Sequence, residues 1–282
     1  MRMLMHIAFD NSLRLKNKIY YFEYKSVRFK LIQNNPRKWS DVLLTIVSID
    51  DKKEKQKAYS TAGEFLSALS WKNSSSVAFM IAGGLGIPDN YTLQQSKCSS
   101  FVFPQIPFEG NVTGHNLSIL PDIGNELQRK ALILFREARS SNKVWLSFLF
   151  YWQIMEIGGG NPIQWVNNTY YKKRKIYINQ EDLRQLSLGS RKIGEYFQDD
   201  CRHAIAHIRR HKGKTSLLFD VGDDNLRMIV STRIVKKFAE HYISNMLGMK
   251  NKLYLVRNRR TDYPTYVKTE ELRSKRYVLA YP

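Results

Sequence analysis

The stretch 143–157 constrains the fold most. Val144, Trp145, Phe148, Leu149, Phe150, Trp152, Ile154 and Met155 make it apolar nearly all round a helical circumference. A helix with no polar face has to be surrounded by other elements, so this one predicts the centre of a helical bundle. Its apolar run of a dozen residues is well short of the ~20 that a bilayer crossing needs, so membrane insertion is not expected. Gly158-Gly159-Gly160-Asn161-Pro162 predicts an abrupt stop. Before it, Leu127, Ala131, Leu132, Leu134, Phe135 and Ala138 recur at helical spacing, with Asp122 as the expected cap. After it, Glu181–Gly189 reads as a short helix, 191–210 as a longer one, and Met228–Leu247 as a strong amphipathic one.

The first 115 residues have a different period. Lys18–Tyr24 and Val27–Leu31 read as strands, the second alternating apolar and basic as in a half-buried sheet. Val42–Val47 reads as a more fully buried strand, Glu54–Trp71 as a helix and Val77–Ile81 as another strand. Gly83-Gly84-Leu85-Gly86 reads as a glycine turn, because it lacks the lysine of a Walker motif and the spacing of a dinucleotide loop. Residues 87–121 carry four prolines, which marks an irregular connection. The fold class is therefore α+β, with a strand-rich domain over 1–117 and a helical domain over 118–282. Short strands are expected at Leu217–Val221 and, in the basic and aromatic tail, at Tyr254–Val256 and Tyr277–Ala280.

Lys and Arg number 45 against 25 Asp and Glu, a formal charge of +20. Such a field draws in polyanions, so nucleic acid is the expected partner class; a basic surface that binds nothing, or one neutralised by an acidic protein, is the alternative. The two cysteines, Cys98 and Cys201, fit neither a metal spacing nor a disulfide framework, which suits a reducing compartment and makes cytoplasm the expected location. Met1–Met5 is too short, and too soon followed by Asp10, to act as a secretory signal. Tyr170-Tyr171-Lys172-Lys173-Arg174-Lys175 interleaves aromatics with positive charge, which suits base stacking and phosphate contact or simply a solvated loop with packed tyrosines.

The chemistry concentrates in Asp199-Asp200-Cys201-Arg202-His203-Ala204-Ile205-Ala206-His207-Ile208-Arg209-Arg210. Three readings compete. One is structural, with Ile205 and Ile208 in the core and the charges solvated. The second is a metal site on His203, His207 and His211, but these spread over more than about 10 Å of axis, too far for one ion, and no Glu stands in the HExxH position. The third is phosphodiester chemistry. A histidine can take the proton of a ribose 2′-hydroxyl or return one to the leaving oxygen, while an arginine holds the phosphate through two parallel hydrogen bonds. Residues five apart lie about 140° apart on an α-helix, so one copy of Arg202 and His207 does not converge, whereas two copies across a two-fold can.

Arg202-His203-Ala204-Ile205-Ala206-His207 resembles the R-x4-H signature of the HEPN superfamily, whose residue after the arginine is typically polar, as His203 is. The preceding pair of helices, from Ala131 and from Phe148, is similar to the early helices of HEPN domains in prokaryotic defence and toxin proteins. The resemblance covers about residues 120–247. It implies an all-α bundle and a metal-independent endoribonuclease, needing no cofactor, that leaves a 2′,3′-cyclic phosphate and a 5′-hydroxyl. It also implies a homodimer with one composite site at the interface. His207 would be the acid/base, Arg202 the phosphate clamp and His203 an assisting or orienting group. By their charge, and not by the resemblance, Arg209, Arg210, Lys172, Lys173 and Arg174 are the residues expected to engage RNA. A defence effector or toxin, controlled by an antitoxin or other protein partner, is the expected setting. Some members carry a tyrosine two residues after the histidine; Arg209 stands there, so control through that tyrosine is not expected. The alternatives are a HEPN-like nucleic-acid or nucleotide-binding protein without catalysis, and a regulatory module that binds a protein.

Overall fold

The computed structural model describes residues 1–11, 18–33, 40–96, 120–172, 176–186, 188–206 and 222–250. The chain forms two compact units, one holding Met1–Asp122 and the other Ile123–Thr265. The boundary expected at 117/118, the strand expected at Leu217–Val221 and the strands expected in the tail lie outside the described residues.

Among its described residues, the first unit is an antiparallel sheet of order β2-β3-β4-β1-β5 with one helix. Its strands are β1 (Arg2–Asn11), β2 (Ile19–Tyr24), β3 (Val27–Ile32), β4 (Asp41–Ser48) and β5 (Val77–Ile87), and α1 is Lys52–Asn73. Tyr24 pairs with Val27 across a two-residue turn in which Lys25 and Ser26 both have positive φ (46° and 64°), the hand that suits strand twist. Lys25 also pairs with Glu64 of α1, fixing this hairpin to the helix. Asp51 caps α1, accepting from Lys53 N at 2.8 Å and Glu54 N at 3.0 Å. Ala58, Ala62, Phe65, Leu66 and Leu69 of α1 pack on Met5, Ile7, Phe9, Phe29, Leu31, Leu43 and Val47.

One strand is added and two expectations are corrected here. The N-terminal residues form a strand, β1, in the middle of the sheet between β4 and β5. Met3, Met5, Ile7 and Phe9 face α1, while Leu4 belongs to a second cluster with Val42, Leu44 and Ile87. The glycine run is not a turn. Gly83, Gly84 and Gly86 are extended within β5 opposite His6, Met5 and Met3, and a side chain at Gly84 would run into Met3 Sδ. The sheet is not exposed on its second face at β3 either: Lys30 is buried, donating to Ser96 O at 2.6 Å, because residues 88–96 pass over it.

The second unit is helical throughout its described elements. They are α2 (Glu126–Ser140), α3 (Val144–Glu156), α4 (Pro162–Asn167), α5 (Gln180–Arg184), α6 (Ile193–Tyr196), α7 (His203–Ala206) and α8 (Gly222–Asn245), with π-helical turns at Asn168–Lys172 and Phe197–Arg202. As its apolar circumference requires, α3 lies between α2 and α8. Phe148, Trp152 and Ile154 are fully buried, as are Leu132 and Phe135 of α2 and Ile234, Phe238 and Ile243 of α8. Asn125, not Asp122, caps α2, accepting from Gln128 N at 2.9 Å. The expected long helix over 191–210 is an α-π-α run as far as Ala206.

Candidate active site

The run Ile193–Ala206 is held by a buried stripe. Ile193, Gly194, Tyr196, Phe197, Cys201 and Ala204 turn inward, and Gln198, Asp199, Asp200, Arg202 and His203 stay half-buried outside it. Phe197 is the pivot: its ring stands edge-on to Phe148 (5.8 Å), Trp152 (6.3 Å) and Phe238 (6.5 Å), so α3 and α8 both grip the π turn. Cys201, four residues on, places Sγ 3.6 Å from Ser231 Oγ on α8. Burial pushes this thiol up to about 12, so it packs rather than reacts. At the other end, Gly194 N donates to Asn167 Oδ1 at 2.9 Å, and Ile193 N donates to the Tyr171 hydroxyl at 3.3 Å.

The π turn sets which side chains share the outer face. One extra residue per turn shifts the helix face, and such insertions recur at functional sites. Arg202 Nε donates to Glu156 Oε1 at 3.0 Å, and Trp152 Nε1 donates to the same oxygen at 3.0 Å. Beside it, His203 Nδ1 lies 3.5 Å from Asp199 Oδ1, and its Nε2 is 2.8 Å from Gln198 Nε2. In this arrangement the Gln198 amide donates, so Nε2 accepts and the ring proton sits on Nδ1, facing the carboxylate. Asp200 pairs with Arg191, whose guanidinium lies over the Tyr196 ring at 5.7 Å.

Chemically, this face offers one oriented guanidinium and one oriented imidazole next to each other. The first can bind an oxyanion and the second can accept a proton at Nε2 once the Gln198 amide moves aside. Arg202 and His203 are neighbours in sequence, each held by its own partners; His207, Arg209, Arg210, Lys173 and Arg174 lie outside the described residues. Lys172 is exposed at the end of the π turn Asn168–Lys172. In that turn Tyr170 and Tyr171 stand edge to face at 4.8 Å, and the contact to Ile193 N commits the Tyr171 hydroxyl to the fold.

From the sequence, Trp152 reads only as part of the apolar circumference of its helix, and Glu156 as a group that either tunes Arg202 or simply caps and solvates. The available signal was that Glu156 is the sole charged residue in α3, a carboxylate at the end of an otherwise apolar helix. Among the described residues, no three His, Cys, Asp or Glu side chains converge as a metal-ligand set. Nor is any described helix long and apolar enough to cross a membrane.

A family model described as "Methylamine utilization protein MauJ" matches residues 131–244, less than half of the chain. No curated protein and no solved structure matches. The matched stretch begins in α2, ends in α8 and contains every residue of the polar face just described.

Proposed function

We propose that the helical unit is an endoribonuclease that works without a metal ion, with Arg202 as the phosphate-binding cation, His207 as the principal acid/base and His203 as an assisting base. The observation that carries this reading is the adjacency of two independently oriented groups, Arg202 held by Glu156 and His203 held by Asp199 and Gln198. An imidazole removes the 2′-hydroxyl proton as O2′ attacks phosphorus. The guanidinium holds the non-bridging oxygens as charge builds on them, and a second imidazole protonates O5′ as the P–O5′ bond breaks. The products are a 2′,3′-cyclic phosphate and a 5′-hydroxyl. Two histidines on opposite sides of one phosphate are supplied most simply by two copies of the chain, so the composite site of a homodimer belongs to this proposal. A defence or toxin role, controlled by a protein partner, is the setting proposed with it.

The test is incubation with total RNA in EDTA. Cleavage that survives the chelator and falls at least ~100-fold in His207→Ala and Arg202→Ala supports the reading. Cleavage indifferent to both substitutions sinks it, as does a requirement for added metal. A strictly monomeric mass at micromolar concentration counts against the composite site.

A second reading is a non-catalytic nucleic-acid or nucleotide-binding protein, in which the pairs Glu156–Arg202 and Asp200–Arg191 are structural ties and not catalytic positioning. The name of the matching family model refers to methylamine utilization, a process rather than a reaction, and fits either reading. RNA that binds and is recovered intact would favour the second.

A further inference from the structure

We infer that Glu156 is a positioning residue: together with Trp152 it fixes the Arg202 guanidinium by its Nε edge, leaving the Nη1/Nη2 edge as a two-pronged receptor for one phosphodiester. The inference rests on the phosphate-binding role proposed for Arg202.

The argument begins in the core. Trp152 is fully buried, stacked on Phe148 at 6.3 Å and edge-on to Phe197 at 6.3 Å, so its indole has no freedom to turn. Its Nε1 donates to Glu156 Oε1, one helical turn later, at 3.0 Å. The carboxylate is thereby anchored to a rigid group although it lies near the end of α3. The same oxygen accepts from Arg202 Nε at 3.0 Å. One oxygen therefore serves two donors, and the orientation of the indole is passed on to Arg202, 46 residues beyond Glu156 in the chain.

Which edge of the guanidinium is used decides the function of the pair. A guanidinium has five N–H donors, one on Nε and four on the two Nη atoms. Among the described residues Glu156 is the one hydrogen-bond partner of Arg202, and it takes Nε alone. A carboxylate acting as a stand-in for substrate would grip two nitrogens in the fork geometry that phosphate prefers. Glu156 does not. The paired side chains are 33% and 29% exposed, so the contact is shielded enough to restrict the guanidinium, yet solvent still reaches it. Restricting a long side chain before substrate arrives lowers the ordering cost at binding and sets the angle at which the fork meets phosphorus.

The test compares Glu156→Ala with Glu156→Gln in the full-length chain. Glutamine keeps an oxygen that can accept from both Trp152 and Arg202 but removes the charge; alanine removes both. In single-turnover cleavage of a mixed-sequence oligoribonucleotide in EDTA, Glu156→Ala should lose about 10- to 100-fold in the saturating rate with little change in half-saturating concentration. Glu156→Gln should recover most of that loss. An alanine variant as fast as or faster than the parent overturns the inference, since Glu156 would then be a competitor for Arg202; so does a glutamine variant as slow as alanine, since charge and not placement would then matter. A readout that does not need cleavage is the nitrogen-15 NMR signal of Arg202 Nε–H, assigned by its loss in Arg202→Lys. The signal should move in Glu156→Ala, stay in Glu156→Gln, and stay in the parent when a 2′-O-methyl oligoribonucleotide is added. Movement of the parent signal to the alanine position overturns the inference. If the parent does not cleave RNA, the nuclease reading fails while the NMR comparison still decides the role of Glu156.

Discussion

Gly194 donates its backbone N–H to the Asn167 side-chain oxygen at 2.9 Å, so α6 meets the C-terminal end of α4 at backbone distance. A Cβ at position 194 would lie 2.7 Å from Ile163 O and 2.9 Å from Asn167 Oδ1, closer than real Cβ contacts allow. The first obstacle is backbone, which cannot rotate away. The contact sets where the run carrying Arg202 and His203 begins.

Gly194→Ala should therefore destabilise the protein. Helix propensity alone favours Ala over Gly by about 1 kcal/mol, whereas forcing a methyl into a filled contact costs about 1–3 kcal/mol and here also disturbs a hydrogen bond. The clash should win, and the midpoint of urea unfolding should fall with little change in slope. An unchanged or raised midpoint would show that α4 and α6 do not meet as described.

Cys201 should resist alkylation in the folded protein. It is fully buried beside Ser231, and burial pushes the thiol up to about 12, so at pH 8 almost none of it is the reactive thiolate. Peptide mapping after iodoacetamide treatment should find Cys201 unmodified until denaturant is added. Rapid labelling under native conditions would place the π turn elsewhere.

What the sequence made legible was periodic burial. α3 had no polar face to misread, and the stripes of α1, α2 and α8 each follow one 3.6-residue period. Elements buried on both faces were harder. In β1, Met3, Met5, Ile7 and Phe9 do alternate, but Leu4 and Ala8 between them are apolar too, so the period of two is blurred. In β5 the glycines resemble a turn because nothing local records that β1 runs alongside them. At the site, the density of ionisable groups singled out Arg202 and His203. The π turn that orients them was invisible, because it depends on Phe197 being gripped from α3 and α8. Asn125 displaced Asp122 as the cap because the helix starts at Glu126, one residue before the stripe opens at Leu127, and so three residues later than an Asp122 cap would set it.

His6 should make the first unit sensitive to acid. It lies between Leu44 and Gly83 on neighbouring strands, and burial holds its pKa below the usual 6.5. The unfolded chain then binds a proton that the folded sheet refuses. Its contribution to stability is full above about pH 6.5 and is lost as pH falls towards the depressed folded value, with a slope of at most about 1.4 kcal/mol per pH unit. Urea midpoints between pH 7 and pH 5 should fall in the parent, and fall less in His6→Leu. Equal slopes would mean that His6 is charged or solvated in the fold.

Asp199→Asn should slow RNA cleavage if His203 assists it. The carboxylate stands 3.5 Å from Nδ1, both side chains are 40% exposed, and Gln198 already holds Nε2 at 2.8 Å. A contact so long and so open to solvent stabilises the fold by no more than a fraction of a kcal/mol, so the unfolding midpoint should hardly move. Its effect on the ring is larger, because an amide can present its N–H to Nδ1 and favour the tautomer that protonates Nε2, which removes the acceptor the reaction needs. The saturating rate in EDTA should fall by roughly 10-fold, less than the at least ~100-fold expected for His207→Ala, since His203 assists and His207 is the principal acid/base. Asp199→Asn combined with His203→Ala should be no slower than His203→Ala alone, because the carboxylate has no part to play without the ring it orients. Additive losses in that pair would assign Asp199 a separate role and leave His203 as a polar neighbour of Arg202.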